Sequence, residues 1–154
     1  MFKNIDQHLS LKNSLFLLMF LAIVGIVDAS YLSAQHFLGG DVKCLLVSGC
    51  DVVLVSEYSA IFGVPVALFG LCFYIGVLFL SFLAYERKSR SLFQGLFLWS
   101  IGGLLATGWL FYVQAVLLKA FCFYCLISAS LSTLIFLVSF YVFKVSGQAR
   151  NERS

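Results

Sequence analysis

Four stretches of the chain, at about 14–35, 61–85, 92–118 and 122–143, are long and apolar enough to cross a bilayer core as helices, which takes about 20 residues each. None alternates polar with apolar residues as a barrel strand does, and an unpaired backbone group is costly in lipid, so each reads as a helix. The composition agrees. Of 154 residues, 62% are apolar and 11% charged, against roughly a quarter charged in a soluble domain. A fold this small cannot bury so much apolar surface in one core, so its main solvent is lipid. The expected fold is an all-α membrane protein: residues 1–154 form a single integral membrane domain, a four-transmembrane-helix bundle. The connection 36–60 is expected to act as an outer lid.

Short loops rich in Lys and Arg stay cytoplasmic. Lys3 and Lys12 precede the first span, Arg87, Lys88 and Arg90 separate the second from the third, and Lys144, Arg150 and Arg153 follow the fourth. The other side holds only Lys43 and Lys119 of the 10 basic residues. Both termini are therefore expected in the cytoplasm. The net charge of +3 is a topology signal; no basic stripe or aromatic platform makes it a nucleic-acid footprint. The first apolar run also resembles a cleaved signal peptide, but its helical pattern continues to Gln35. Small residues four apart, Gly63 with Ala67 and Gly102 with Ala106, suggest close helix contacts.

This topology puts Cys44 and Cys50 in the first outer connection and Cys122 and Cys125 at the outer start of the fourth span. Cys72, in mid-span, reads as a small apolar packing residue. Outside the cytoplasm paired cysteines oxidise. The loop-entropy model gives a Cys44–Cys50 ring only about 2 kcal/mol and a Cys122–Cys125 ring less, so these pairs suit exchange better than stapling. Cys122-Phe123-Tyr124-Cys125 is a CxxC, a redox or metal motif. At the start of a helix its thiol is expected to be acidified by first-turn amides, with Lys119 adding positive charge. A thiolate at the bilayer boundary suits a lipid-soluble two-electron carrier such as a quinone. Gly39, Gly40 and Gly49 read as bend points for a loop that carries Cys44 and Cys50 between an aqueous protein and the CxxC, and its apolar pieces at 45–47 and 52–55 read as a lid.

These residues also resemble a family. Cys44-x5-Cys50 with Asp51, then the run from Ser56 through Tyr58, Ser59, Phe62 and Gly63 to Pro65, and later the CxxC with Ser128 and Ala129, are similar to the vitamin K epoxide reductase family. The likeness is greatest to its bacterial members, which oxidise thioredoxin-fold proteins and pass the electrons to quinone. The resemblance implies that Cys44 exchanges with the partner protein, Cys50 relays to Cys122, and Cys125 faces the quinone. It also implies that Ser56 lies near the site, with Ser59 and Phe62 lining the quinone pocket. Asp28 and His36, in and after the outer part of the first span, resemble bacterial members too, and an acid inside a span is a functional candidate. Ala129 stands where vertebrate members carry a tyrosine that contacts vitamin K, which argues against epoxide reduction. Many bacterial members continue into a thioredoxin-like domain, whereas this chain ends soon after the fourth span, so its partner is expected to be a separate protein. A second family of quinone-linked thiol oxidases has the CxxC and the spaced pair in the reverse order.

The expectation is a membrane thiol oxidoreductase that reoxidises an extracytoplasmic thioredoxin-fold thiol oxidase. Electrons would pass through Cys44, Cys50, Cys122 and Cys125 to a ubiquinone- or menaquinone-type quinone, supporting disulfide formation from a bacterial cytoplasmic membrane. Two alternatives are a metal site made of the four thiolates and a non-enzymatic membrane subunit in which the cysteines are dispensable.

Overall fold

The structure is a computed structural model that describes residues 2–38, 53, 56–61 and 63–151. Its helices are α1 (Phe2–Leu38), α2 (Val66–Arg87), α3 (Arg90–Tyr112), which runs on into a π-helical segment (Val113–Leu118), and α4 (Phe123–Asn151). Four stretches are long and apolar enough to span a membrane: Leu9–Leu38, Val66–Arg87, Arg90–Leu118 and Phe123–Gly147. The protein is therefore an all-α four-helix membrane bundle. Cys44, Cys50, Phe62, Lys43, Asp51, the three loop glycines and most of the expected lid lie outside the described residues.

α1 packs on α2 and α4, α2 on α3, and α3 on α4, closing a ring. The spacing on α1 shows why: Leu15, Leu18, Ala22, Gly25 and Ala29 recur at three- to four-residue steps and face the core. They meet Tyr74 and Val77 of α2, Leu96 of α3, and Leu131 and Ile135 of α4. The opposite faces keep Phe16, Phe20, Phe79, Leu98 and Leu105 exposed, as lipid contact requires. Several hydroxyls inside the spans turn back to their own helix, among them Ser33 to the Ala29 carbonyl at 2.8 Å and Ser100 to the Phe97 carbonyl at 2.7 Å.

The second span begins at Val66, five residues later than its hydropathy suggests. Residues Ala60–Ile61 and Val64–Pro65 form a two-residue antiparallel ladder, β1 and β2, with Ile61 opposite Val64. Gly63 turns this hairpin at φ 79°, a left-handed conformation that glycine adopts without a Cβ penalty, and Pro65 caps α2. Gly63 is thus in a turn and not on a helix face with Ala67, and a Cβ there would meet nothing within 4 Å among the described residues. Gly102 likewise has open space beside it. The close helix approaches are elsewhere: Gly25 under the Tyr74 ring, Gly103 under Phe73, and Gly76 against Trp99, where a Cβ would lie 2.7 Å from the indole nitrogen. Cys72 is exposed on the outer face of α2, so it faces lipid and does not pack inside the bundle.

At one end of the bundle Ser10 bonds Tyr141 at 2.9 Å, the Arg90 guanidinium sits 5.4 Å over the Phe143 ring, and the Lys144 ammonium 4.9 Å over Phe140. The turn with Arg87 and Lys88 shares this end. The hairpin, the π segment and the CxxC occupy the other.

Candidate active site

α3 does not stop at Tyr112; it widens into π geometry, a rare form that recurs at functional sites. The segment ends at Lys119, held at φ 49° by a bond from its N–H to the Gln114 carbonyl. The Ala120 N–H bonds the same carbonyl at 3.2 Å. The side-chain oxygen of Gln114 then accepts the Cys122 N–H at 3.0 Å. One glutamine therefore gathers three amides of the link and delivers Cys122 to the start of α4.

The Cys122 carbonyl accepts the Leu126 N–H at 3.0 Å, so Cys122 is the N-cap of α4. It is fully buried, packed by Val53, Tyr124 and Cys125. The Cys125 thiol, hydrogen-bonded to the Cys122 sulfur, holds the Cys122 thiol below its ordinary range; burial opposes this, and the backbone N–H groups of Cys125 and Tyr124 assist it. The first-turn amides thus act as expected. Lys119 does not: it is exposed and is not among the groups that shift Cys122.

Cys125, one turn on, lines a cavity of about 350 Å³ to which all four helices contribute at this end of the bundle. Ser56 and Ser59 line it too, as do His36 and Ala129. The Ser56 hydroxyl donates to the Val53 carbonyl at 2.7 Å, tying the approach to the hairpin to the residue that covers Cys122. Asp28 has a buried carboxylate oxygen without a hydrogen-bond partner among the described residues, and its charge reaches Cys122. Its neighbour one turn away, Tyr31, lies 5.1 Å from Tyr124 of the CxxC, ring to ring.

Two polar cavity residues, Tyr74 and Gln114, carry no reading in the sequence. Tyr74 of α2, 1% exposed, places its hydroxyl 2.7 Å from Ser128 Oγ and donates to the Ser128 carbonyl at 3.0 Å. Both line the cavity, and Ser128 is one turn beyond Cys125. Gln114 is the second. A lone amide in an apolar run is a detectable signal; the Tyr74–Ser128 pairing joins residues far apart in sequence and has no local one.

No curated protein matches the sequence. The model of the vitamin K epoxide reductase family, a family of membrane oxidoreductases with thiol–disulfide and quinone-linked chemistry, matches residues 16–140. That match spans all four membrane helices and the CxxC, and the chain belongs to the vitamin K epoxide reductase family.

Proposed function

We propose that the protein is a quinone-dependent thiol oxidase of the bacterial cytoplasmic membrane, with the cysteine end of the bundle outside and both termini inside. The observation that carries this reading is the division of labour within the CxxC. Cys122 is buried behind Val53 with an acidified thiol, while Cys125 faces a cavity among the membrane helices.

The cavity suits a quinone head group. Its volume of about 350 Å³ is within the usual range for small-molecule sites, mostly apolar with a few fixed polar groups. Leu32, Val66, Phe69 and Phe73 supply apolar wall, while Tyr74 and Ser128 supply hydroxyls beside Cys125. These residues, with Ser56 and Ser59, would hold the quinone, as would Phe62, which lies outside the described residues. When bound, the quinone supplies a two-electron oxidant that leaves as quinol.

The protein's own chemistry is thiol–disulfide exchange. A separate extracytoplasmic thioredoxin-fold protein with two thiols reduces the Cys44–Cys50 disulfide and becomes a disulfide itself. The Cys50 thiolate then attacks Cys122 of the Cys122–Cys125 disulfide, forming a mixed disulfide and releasing Cys125. Attack by Cys44 on Cys50 restores the first disulfide and leaves Cys122 and Cys125 as a dithiol. Reoxidation of that dithiol removes two electrons and two protons and closes its S–S bond. The net change is partner dithiol plus quinone to partner disulfide plus quinol.

Purified protein given a reduced thioredoxin-fold partner and quinone is expected to consume two thiols per quinol formed. The reading fails if Cys122→Ser or Cys125→Ser leaves that rate intact.

A further inference from the structure

Gln114 is 5% exposed, lines the cavity and stands in the π segment. Its side-chain oxygen is committed to the Cys122 N–H at 3.0 Å. That bond fixes which way round the amide sits, because the oxygen cannot exchange places with the nitrogen without leaving Cys122 unpaired and setting two donors face to face. The two N–H donors on Nε2 then have no hydrogen-bond partner among the described residues. Because Gln114 lines the cavity, these donors are available to a ligand that accepts from them.

Three carbonyls of the cavity wall already accept a hydrogen bond. The Ser128 carbonyl takes the Tyr74 hydroxyl, the Val53 carbonyl takes Ser56, and the Phe73 carbonyl takes the Trp99 indole N–H at 3.1 Å. Gln114 thus brings two donors, uncommitted among the described residues, to a mostly apolar wall. Such a site is complementary to a ligand that carries acceptors and no donors on an apolar body, which describes the oxidised quinone ring.

Resting on the proposed function, we infer that Gln114 Nε2 is the hydrogen-bond donor to a quinone carbonyl at the Cys125 end of the cavity. The same side chain holds Cys122 through its oxygen. One amide thus registers the electron acceptor and the N-cap of the redox motif against each other. A donor aimed at a carbonyl oxygen also binds more strongly as negative charge builds there, so it favours acceptance of electrons as well as seating.

The test uses the full-length protein in detergent micelles with decyl-ubiquinone as the probe. Binding is followed by quenching of Trp99, which lines the cavity, in a Trp109→Phe background, and the carbonyl stretch of the bound probe is read by infrared difference spectroscopy. The wild type is expected to bind saturably and to show one carbonyl band lowered relative to the probe in hydrocarbon solvent. Gln114→Met, of similar length and without a donor, is expected to weaken binding about tenfold and to return that band toward its hydrocarbon position. An unchanged Kd and band in Gln114→Met overturn the inference while leaving the thiol oxidase reading in place. So does a wild-type spectrum with both carbonyls at their hydrocarbon positions, a result that needs no variant to fold. Absence of saturable quenching in the wild type overturns the quinone reading of the cavity, and the inference with it.

Discussion

The Tyr74 hydroxyl donates to the Ser128 carbonyl at 3.0 Å and lies 2.7 Å from the Ser128 hydroxyl, joining α2 to α4 one turn below Cys125. With the tyrosine proton on the carbonyl, the serine hydroxyl is left to donate to the tyrosine oxygen. Both groups are satisfied in a region without bulk water. Tyr74→Phe removes both bonds and leaves Ser128 to turn back on its own helix. The expected cost is about 1–2 kcal/mol, read as a lowered thermal midpoint in detergent, together with a weaker quinone interaction.

A second prediction concerns the space beside Gly102. A Cβ there meets nothing, and Gly102 and Ala106 line the cavity. Gly102→Leu is expected to fill part of the cavity without disturbing helix packing. The apparent KM for quinone should rise about tenfold, equivalent to about 1.4 kcal/mol, while the thermal midpoint stays or rises. Steady-state kinetics at varied quinone, with thermal unfolding alongside, reads both.

Cys122 gives a pH prediction. Its thiol is held below the ordinary value of about 8.5 chiefly by the Cys125 thiol, and the negative charge of Asp28 works in the opposite direction. Thiolate absorbance, taken as the difference from Cys122→Ser, should therefore titrate below that ordinary value. Cys125→Ala removes the main lowering contact and should move the midpoint up. Asp28→Asn removes the opposing charge and should move it down. In the proposed cycle the lowered midpoint makes Cys122 the better leaving group when Cys44 resolves the Cys50–Cys122 mixed disulfide.

Cys72 faces lipid on α2. Cys72→Ala is expected to leave turnover unchanged and to shift stability by less than about 0.5 kcal/mol. In membranes a lipid-soluble maleimide should label Cys72, and a charged one should not.

The fold was legible in the sequence because lipid imposes two simple demands, length and apolarity, and the stretches ending at Leu38, Arg87, Leu118 and Gly147 meet both. The family was legible because its motifs keep their order along the chain. Hydropathy could not show that residues 60–65 turn in a hairpin, since Ile61, Val64 and Pro65 are as apolar as the helix that follows. Nor could it tell the core face from the lipid face, both of which are apolar; Cys72 was misplaced for that reason. The cavity was partly legible: Ser56, Ser59 and Cys125 line it. Gln114 escaped notice because its importance depends on a π turn that brings it to Cys122, eight residues away, and no residue pattern announces such a turn.

In the proposed cycle electrons run from an external partner through the two cysteine pairs to quinone. Thiol trapping in intact cells depleted of quinone tests it most directly. Acid quenching and alkylation should show Cys122 and Cys125 accumulating as free thiols, with a mixed disulfide to a thioredoxin-fold protein captured through Cys44 in the Cys50→Ser variant. Oxidised Cys122 and Cys125 under depletion, with no mixed disulfide through Cys44, would contradict the account.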